Sequence, residues 1–88
     1  MGTLFHPDGR RETVTPENAD GEWSLEELQK HVEGYIERVP AAPGRPEAYC
    51  NEEGLITGQK ANIGATLALG VELLVGPVVI LDKEESLP

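Results

Sequence analysis

Cysteine occurs once in this chain, as Cys50, and histidine twice, as His6 and His31. A lone thiol excludes an intramolecular disulfide, and three Cys and His residues fall short of the four convergent ligands of a structural zinc site. Basic residues are also scarce, 7 against 16 acids, and aromatic residues make up only 5% of the chain. A broad nucleic-acid-binding face needs clustered Lys and Arg, with aromatic rings for unpaired bases, so that function class is excluded. No membrane association is expected either. Between Ala61 and Leu81, 14 of 21 residues are apolar and Glu72 is the one charge, but Gly64, Gly70, Gly76 and Pro77 interrupt the run. Residues 1–60 hold only 19 of the 34 hydrophobic residues, so that segment is needed for the core. The first residues lack the basic stretch and apolar run of a secretory signal, which makes the cytoplasm the expected compartment.

What remains is an acidic chain of 88 residues with formal charge −9, enough for one small domain. The reading is a single α+β domain over residues 1–81, mostly antiparallel sheet, followed by an acidic tail over 82–88. Thr3-Leu4-Phe5 and Glu12-Thr13-Val14-Thr15 flank Pro7-Asp8-Gly9, a turn sequence, and form a hairpin. Ser24-Leu25-Glu26-Glu27 is a capping box, with Trp23 and Leu28 spaced as a hydrophobic staple. It predicts a helix over about 25–32, with Leu25, Leu28 and Val32 as its buried stripe and Gly34 as the residue that ends it. Tyr35–Val39 and Ala48–Cys50 read as strands, with Cys50 a small apolar strand residue. Asn51-Glu52-Glu53-Gly54 reads as a turn. A second short helix over about 63–69 follows an Asn62 cap, with Ile63 and Leu67 expected inward and Gly70 as its end. Leu73-Leu74-Val75 and Val78-Val79-Ile80-Leu81 read as one strand broken at Gly76-Pro77.

The order of Ser24-Leu-Glu-Glu-Leu-Gln-Lys, Val32-Glu-Gly-Tyr-Ile-Glu, Asn51-Glu-Glu-Gly, Asn62 and Leu74-Val-Gly-Pro-Val-Val-Ile resembles the family called domain of unknown function 3846. The resemblance spans roughly Thr13 to Leu81. It implies a small α+β fold and a mobile-element setting of phage or plasmid type, hence a host cytoplasm, and it supplies no reaction. This chain departs from the family pattern at Glu33, where a second glycine is usual, and at Ile63, where a basic residue is usual.

Catalytic material is sparse. Glu26 and Glu27 belong to the helix cap, and Glu52-Glu53 lies in a turn open to water, where no burial raises a carboxyl pKa for proton transfer. Gly54-Leu-Ile-Thr-Gly58-Gln-Lys60-Ala61 is not a phosphate loop: its first glycine is one residue too close, and the Lys-Ser/Thr ending is missing. Ser24 is committed to the cap, and no Gly-x-Ser-x-Gly elbow occurs. No enzyme, metal or cofactor is expected.

The expected function is therefore non-catalytic binding. In the leading reading the chain sequesters a nucleotide-like host defence signal as an oligomer. Arg45, Asn51, Lys60 and Asn62 are its candidate ligand contacts, and the apolar C-terminal strand supplies subunit contacts. The second reading is an acidic inhibitor or nucleic-acid mimic that binds a basic host protein. Residues 16–37 carry seven acids and one lysine, −6 of the total −9. Its contacts would be Glu17, Asp20, Glu22, Glu26, Glu33 and Glu37. The third reading is a structural or accessory domain without a ligand, its acids serving solubility.

Overall fold

The computed structural model describes residues 1–18, 21–39, 46–53, 58–71 and 73–82. The elements in chain order are β1 (Gly2–Phe5), β2 (Arg11–Val14), α1 (Leu25–Val32), β3 (Ile36–Arg38), β4 (Ala48–Asn51), α2 (Ile63–Leu69) and β5 (Val78–Leu81). The five strands form one sheet in the order β2-β1-β5-β4-β3, with every neighbouring pair antiparallel. The expected α+β class and both helices are present. β5 lies at the centre of the sheet, paired with β1 on one side and β4 on the other. Its backbone is fully used within the chain, so β5 offers no edge for subunit contacts. The edges are instead β2 and β3, whose exposed Arg11, Glu12, Glu37 and Arg38 discourage pairing with another chain.

The period-two alternation of the strands sends side chains to two faces, and each face carries one helix. On the α1 face Leu4, Val14, Tyr49, Val79 and Leu81 pack with Trp23, Leu28 and Val32. On the other face Phe5, Val39, Ala48 and Val78 pack with Ala65 and Leu69 of α2. The half-buried Cys50 joins this second cluster, as a small apolar strand residue should. Two thin cores thus share one sheet.

Helix α1 starts as its sequence dictates. Ser24 Oγ accepts from the Glu27 amide (3.3 Å) and donates to Glu27 Oε1 (3.2 Å). Glu27 Oε2 also accepts from the Glu17 amide (2.8 Å), which binds the preceding loop to the helix. This turns Glu27 inward beside Leu28 and Val32, while Leu25, expected in the buried stripe, is exposed.

The end of α1 differs from expectation. The left-handed residue is Glu33 (φ 63°, ψ 38°), one position before Gly34. Gly34 meets a different demand. A Cβ there would stand 2.6 Å from Asn51 Nδ2, so the site needs glycine for close approach. Glu33 therefore holds a strained conformation that a glycine would adopt without cost.

Helix α2 is turned relative to the sequence reading. Ile63 and Leu67 are 55% and 75% exposed, and Ala65 and Leu69 face the sheet. The cap decides this. Asn62 is fully buried, and helical spacing carries its side of the helix through Ala65 and Thr66 to Leu69. Residues 73–75 do not form a strand: Val75 makes a single bridge to Ala61, and pairing resumes only at Val78.

A left-handed non-glycine residue costs roughly 1–2 kcal/mol. Glu33→Gly should therefore raise unfolding stability by about 1 kcal/mol in urea titrations, part of the gain being offset by a freer unfolded chain. An unchanged or lower midpoint would contradict the strain at this position.

Candidate functional site

An open cleft of about 310 Å³ is lined by the β1–β2 turn, the Gln59-Lys60 segment, Gly76-Pro77 and Glu33 at the end of α1. The turn is closed by the His6 amide donating to Arg10 O (2.9 Å) and the Gly9 amide donating to His6 O (3.0 Å). Asp8 is fixed within it. Its carboxylate accepts from the Arg10 backbone amide (2.9 Å) and from Arg10 Nε (2.8 Å). That backbone hydrogen bond, then the side-chain one, holds the Asp8 carboxyl below its ordinary range, so it stays ionised at neutral pH. His6 Nε2 sits 2.7 Å from Glu12 Oε1.

On the opposite wall, residues 60–62 run beside 74–76. The Gly76 amide donates to Lys60 O (2.8 Å) and the Asn62 amide to Leu74 O (2.8 Å). Gly76 has φ 72°, and a Cβ there would collide with the Gln59 amide. Gln59 Oε1 is pressed into that space, buried and without a hydrogen-bond partner. Lys60 is exposed at the cleft and forms no ion pair among the described residues.

Of the four candidate ligand contacts, Lys60 lies in this cleft. Arg45 falls outside the described residues. Asn51 caps the far end of α1: its Nδ2 donates to Val32 O (3.1 Å) and Glu33 O (3.3 Å), carbonyls left open where the helix stops. Its Oδ1 accepts from the Glu53 amide (2.8 Å), which makes the expected turn after β4.

Asn62 is more deeply committed. Its Nδ2 donates to Phe5 O and Gly76 O, both at 2.8 Å, and its Oδ1 caps α2 through the Ala65 amide (3.1 Å). Both amide hydrogens are used inside the protein. Asn62 thus braces the cleft from behind, tying the residue before His6 to Gly76 and to its own segment.

His6, Asp8, Arg10 and Gln59 are cleft residues that sequence reasoning did not select. Their local signal was a turn, and nothing local announces that a turn near residue 8 meets residues 59–60. His31 stands apart from them on α1, edge-on to the Trp23 ring at 6.4 Å. No three His, Cys, Asp or Glu among the described residues are grouped to hold a metal ion.

The acidic set does not share one surface. Glu17, Glu22, Glu26, Glu33 and Glu37 are all exposed, and Asp20 lies outside the described residues. Glu26 belongs to α1, whereas Glu37 is opposite Cys50 in the sheet and so points to the α2 face. A contiguous patch can include Glu17, Glu22 and Glu26 but not Glu37.

No helix among the described residues is long and apolar enough to cross a membrane. The model of the family described as domain of unknown function (DUF3846) matches residues 4–87, and the chain belongs to that family. Neither a curated protein nor a solved structure matches it.

Two measurements check these assignments. Asn62→Ala leaves two buried carbonyls and one amide without partners, and should cost about 3 kcal/mol in urea unfolding. Asn62→Asp keeps the cap but sets a carboxylate against the Phe5 and Gly76 carbonyls, so it should cost more than alanine. A near-neutral Asn62→Ala would refute the bracing role. The second measurement concerns Cys50, whose thiol is pushed up by burial and then by the Glu37 charge. Iodoacetamide at neutral pH should label it more slowly in the folded protein than in urea; equal rates would contradict that environment.

Proposed function

We propose that this DUF3846 protein is a non-catalytic binding protein whose cleft takes a small anionic ligand of the nucleotide class. The observation that carries the reading is Lys60: an ammonium with no ion pair among the described residues, at a cleft of about 310 Å³, in a chain of net charge −9. Elsewhere in the cleft Arg10 is clasped by Asp8 and His6 is hydrogen-bonded to Glu12, while Glu33 at the end of α1 adds a carboxylate from which the anion must stand clear. An incoming phosphate finds the exposed Lys60 ammonium, with the Arg10 guanidinium and the His6 ring on the facing wall.

The volume lies at the low end of ligand clefts, about 300–1,000 Å³, which suits a single nucleotide unit better than a long chain. The overall charge opposes any anion. However, the Debye length is about 8 Å at physiological salt, so the remote acids are screened more than the cations lining the cleft.

Binding without turnover agrees with the state of the nearby carboxylates. Asp8 stays ionised in its clasp with Arg10, which makes it a poor proton donor and a weak base. In the mobile-element setting that the family resemblance implies, holding a nucleotide-like signal without altering it lowers the free signal. That is the sense in which the protein would act against a host defence. The acidic-inhibitor reading has less support, because Glu37 points away from the α1 patch.

A thermal-shift panel of mononucleotides, cyclic nucleotides and ADP-ribose derivatives tests the proposal. A ligand at 100 times its Kd adds about 2.7 kcal/mol, on the order of 10 °C in Tm for a domain of this size. Lys60→Glu should abolish that shift while leaving the unliganded Tm in place, because the side chain is exposed. No shift with any member at millimolar concentration, or a shift that Lys60→Glu leaves intact, would overturn the assignment.

A further inference from the structure

Two acceptors in the cleft meet no donor among the described residues. Gln59 Oε1 is buried beside Gly76 and lacks a hydrogen-bond partner. The Glu33 carboxylate lines the same cleft, exposed and without an ion pair or hydrogen bond among the described residues. Glu33 is also the one non-glycine residue among them with a positive φ, 63°. An orphaned buried acceptor is rare in folded proteins, and backbone strain gathers at ligand sites. Here both features line the cleft that also holds the exposed Lys60.

We propose that these two acceptors hold the ribose hydroxyls of the ligand, so that the cleft takes a ribonucleotide in preference to its dideoxy analogue. The inference rests on the nucleotide reading of the cleft and specifies which part of the ligand meets which side chain. Lys60 follows Gln59 directly, so a phosphate on the Lys60 ammonium brings the next unit of the nucleotide, its sugar, toward the Gln59 carboxamide. A carboxylate accepts hydrogen bonds and donates none; it repels phosphate and suits a pair of hydroxyls. Glu33 therefore takes the sugar rather than the phosphate. The volume of about 310 Å³ fits a phosphate and a sugar before it fits a base. Gln59 turns to make its contact. No hydrogen bond among the described residues holds its carboxamide, and side-chain rotamers exchange within picoseconds to nanoseconds. Turning from Gly76 toward a hydroxyl gives a partner to an oxygen that has none, so no existing hydrogen bond is lost.

NMR titration of the full chain with AMP and UMP, each against its 2′,3′-dideoxy counterpart, reads the preference directly. The ribonucleotide should bind at least about tenfold more tightly, and should move the Gln59 side-chain amide signals where the dideoxy analogue does not. Two variants locate the contacts. Gln59→Met keeps the reach of the side chain and removes its oxygen; it should raise the Tm of the unliganded protein while reducing the preference for ribose. Glu33→Gly should let the dideoxy nucleotide bind more tightly, because a repelling charge is gone, and so shrink the same ratio. A gain shared equally by both nucleotides would contradict the Glu33 contact. Equal affinities for ribo- and dideoxynucleotides, both lost with Lys60→Glu, would overturn this inference and leave the cleft reading standing. A preference that survives both variants overturns it as well, and binding of neither nucleotide overturns both readings. An unchanged or lower Tm for Gln59→Met would contradict the orphaned oxygen from which the inference starts.

Discussion

The side chain of Asn62 ties together, at one buried point, three parts of the molecule that are distant in sequence. It sits at the start of α2 with no solvent exposure and reaches the last carbonyl of β1, the carbonyl of Gly76 and the Ala65 amide. Those three contacts fix where α2 begins, which of its sides faces the sheet, and how the Gly76-Pro77 corner enters β5. A chain of this length buries only about 60–65% of the surface its unfolded form exposes. In so thin a core, a fully satisfied polar anchor positions elements that apolar packing alone would leave free to slide. Asn51 does the same for α1 from the other end of the sheet, closing the helix through Val32 O and Glu33 O.

The same anchors shape the surface available for function. With Asn62 and Asn51 turned inward, recognition falls to side chains on the rim, chiefly Lys60 across from His6 and Arg10. The sheet separates two unlike environments. One side carries α1 with its acids; the other carries α2, uncharged along its length. The overall charge of −9 is therefore a poor description of any single place on the protein. The proposed ligand cleft lies where that charge is locally opposed by Lys60 and Arg10.

Much of the fold was legible because its signals are local. The Ser24 capping box set the start of α1, Gly70 ended α2, and Pro7-Asp8-Gly9 marked the hairpin of β1 and β2. What escaped depends on distant partners. Asn62 binds carbonyls 57 and 14 residues away, so its pattern shows a cap but not a buried brace. That also explains why α2 was read with Ile63 and Leu67 inward. Side-chain size argued for them, whereas the orientation of the cap selected Ala65 and Leu69. The cleft was half legible: Lys60 stood out as a cation in an acidic chain, but its neighbours at His6 and Arg10 come from the other end of the sequence. The end of α1 was not legible: Gly34 invited the left-handed position, but its close approach to Asn51 moved that conformation to Glu33.

The claim beneath this account is that Asn62 is a buried clamp rather than a ligand contact. Hydrogen exchange of its carboxamide protons and of the Ala65 amide, followed by NMR in the absence of ligand, tests it most directly. If the clamp is correct, both exchange only through global unfolding, with protection matching the stability measured in urea. Exchange of either group at the rate of a solvent-exposed amide would contradict it.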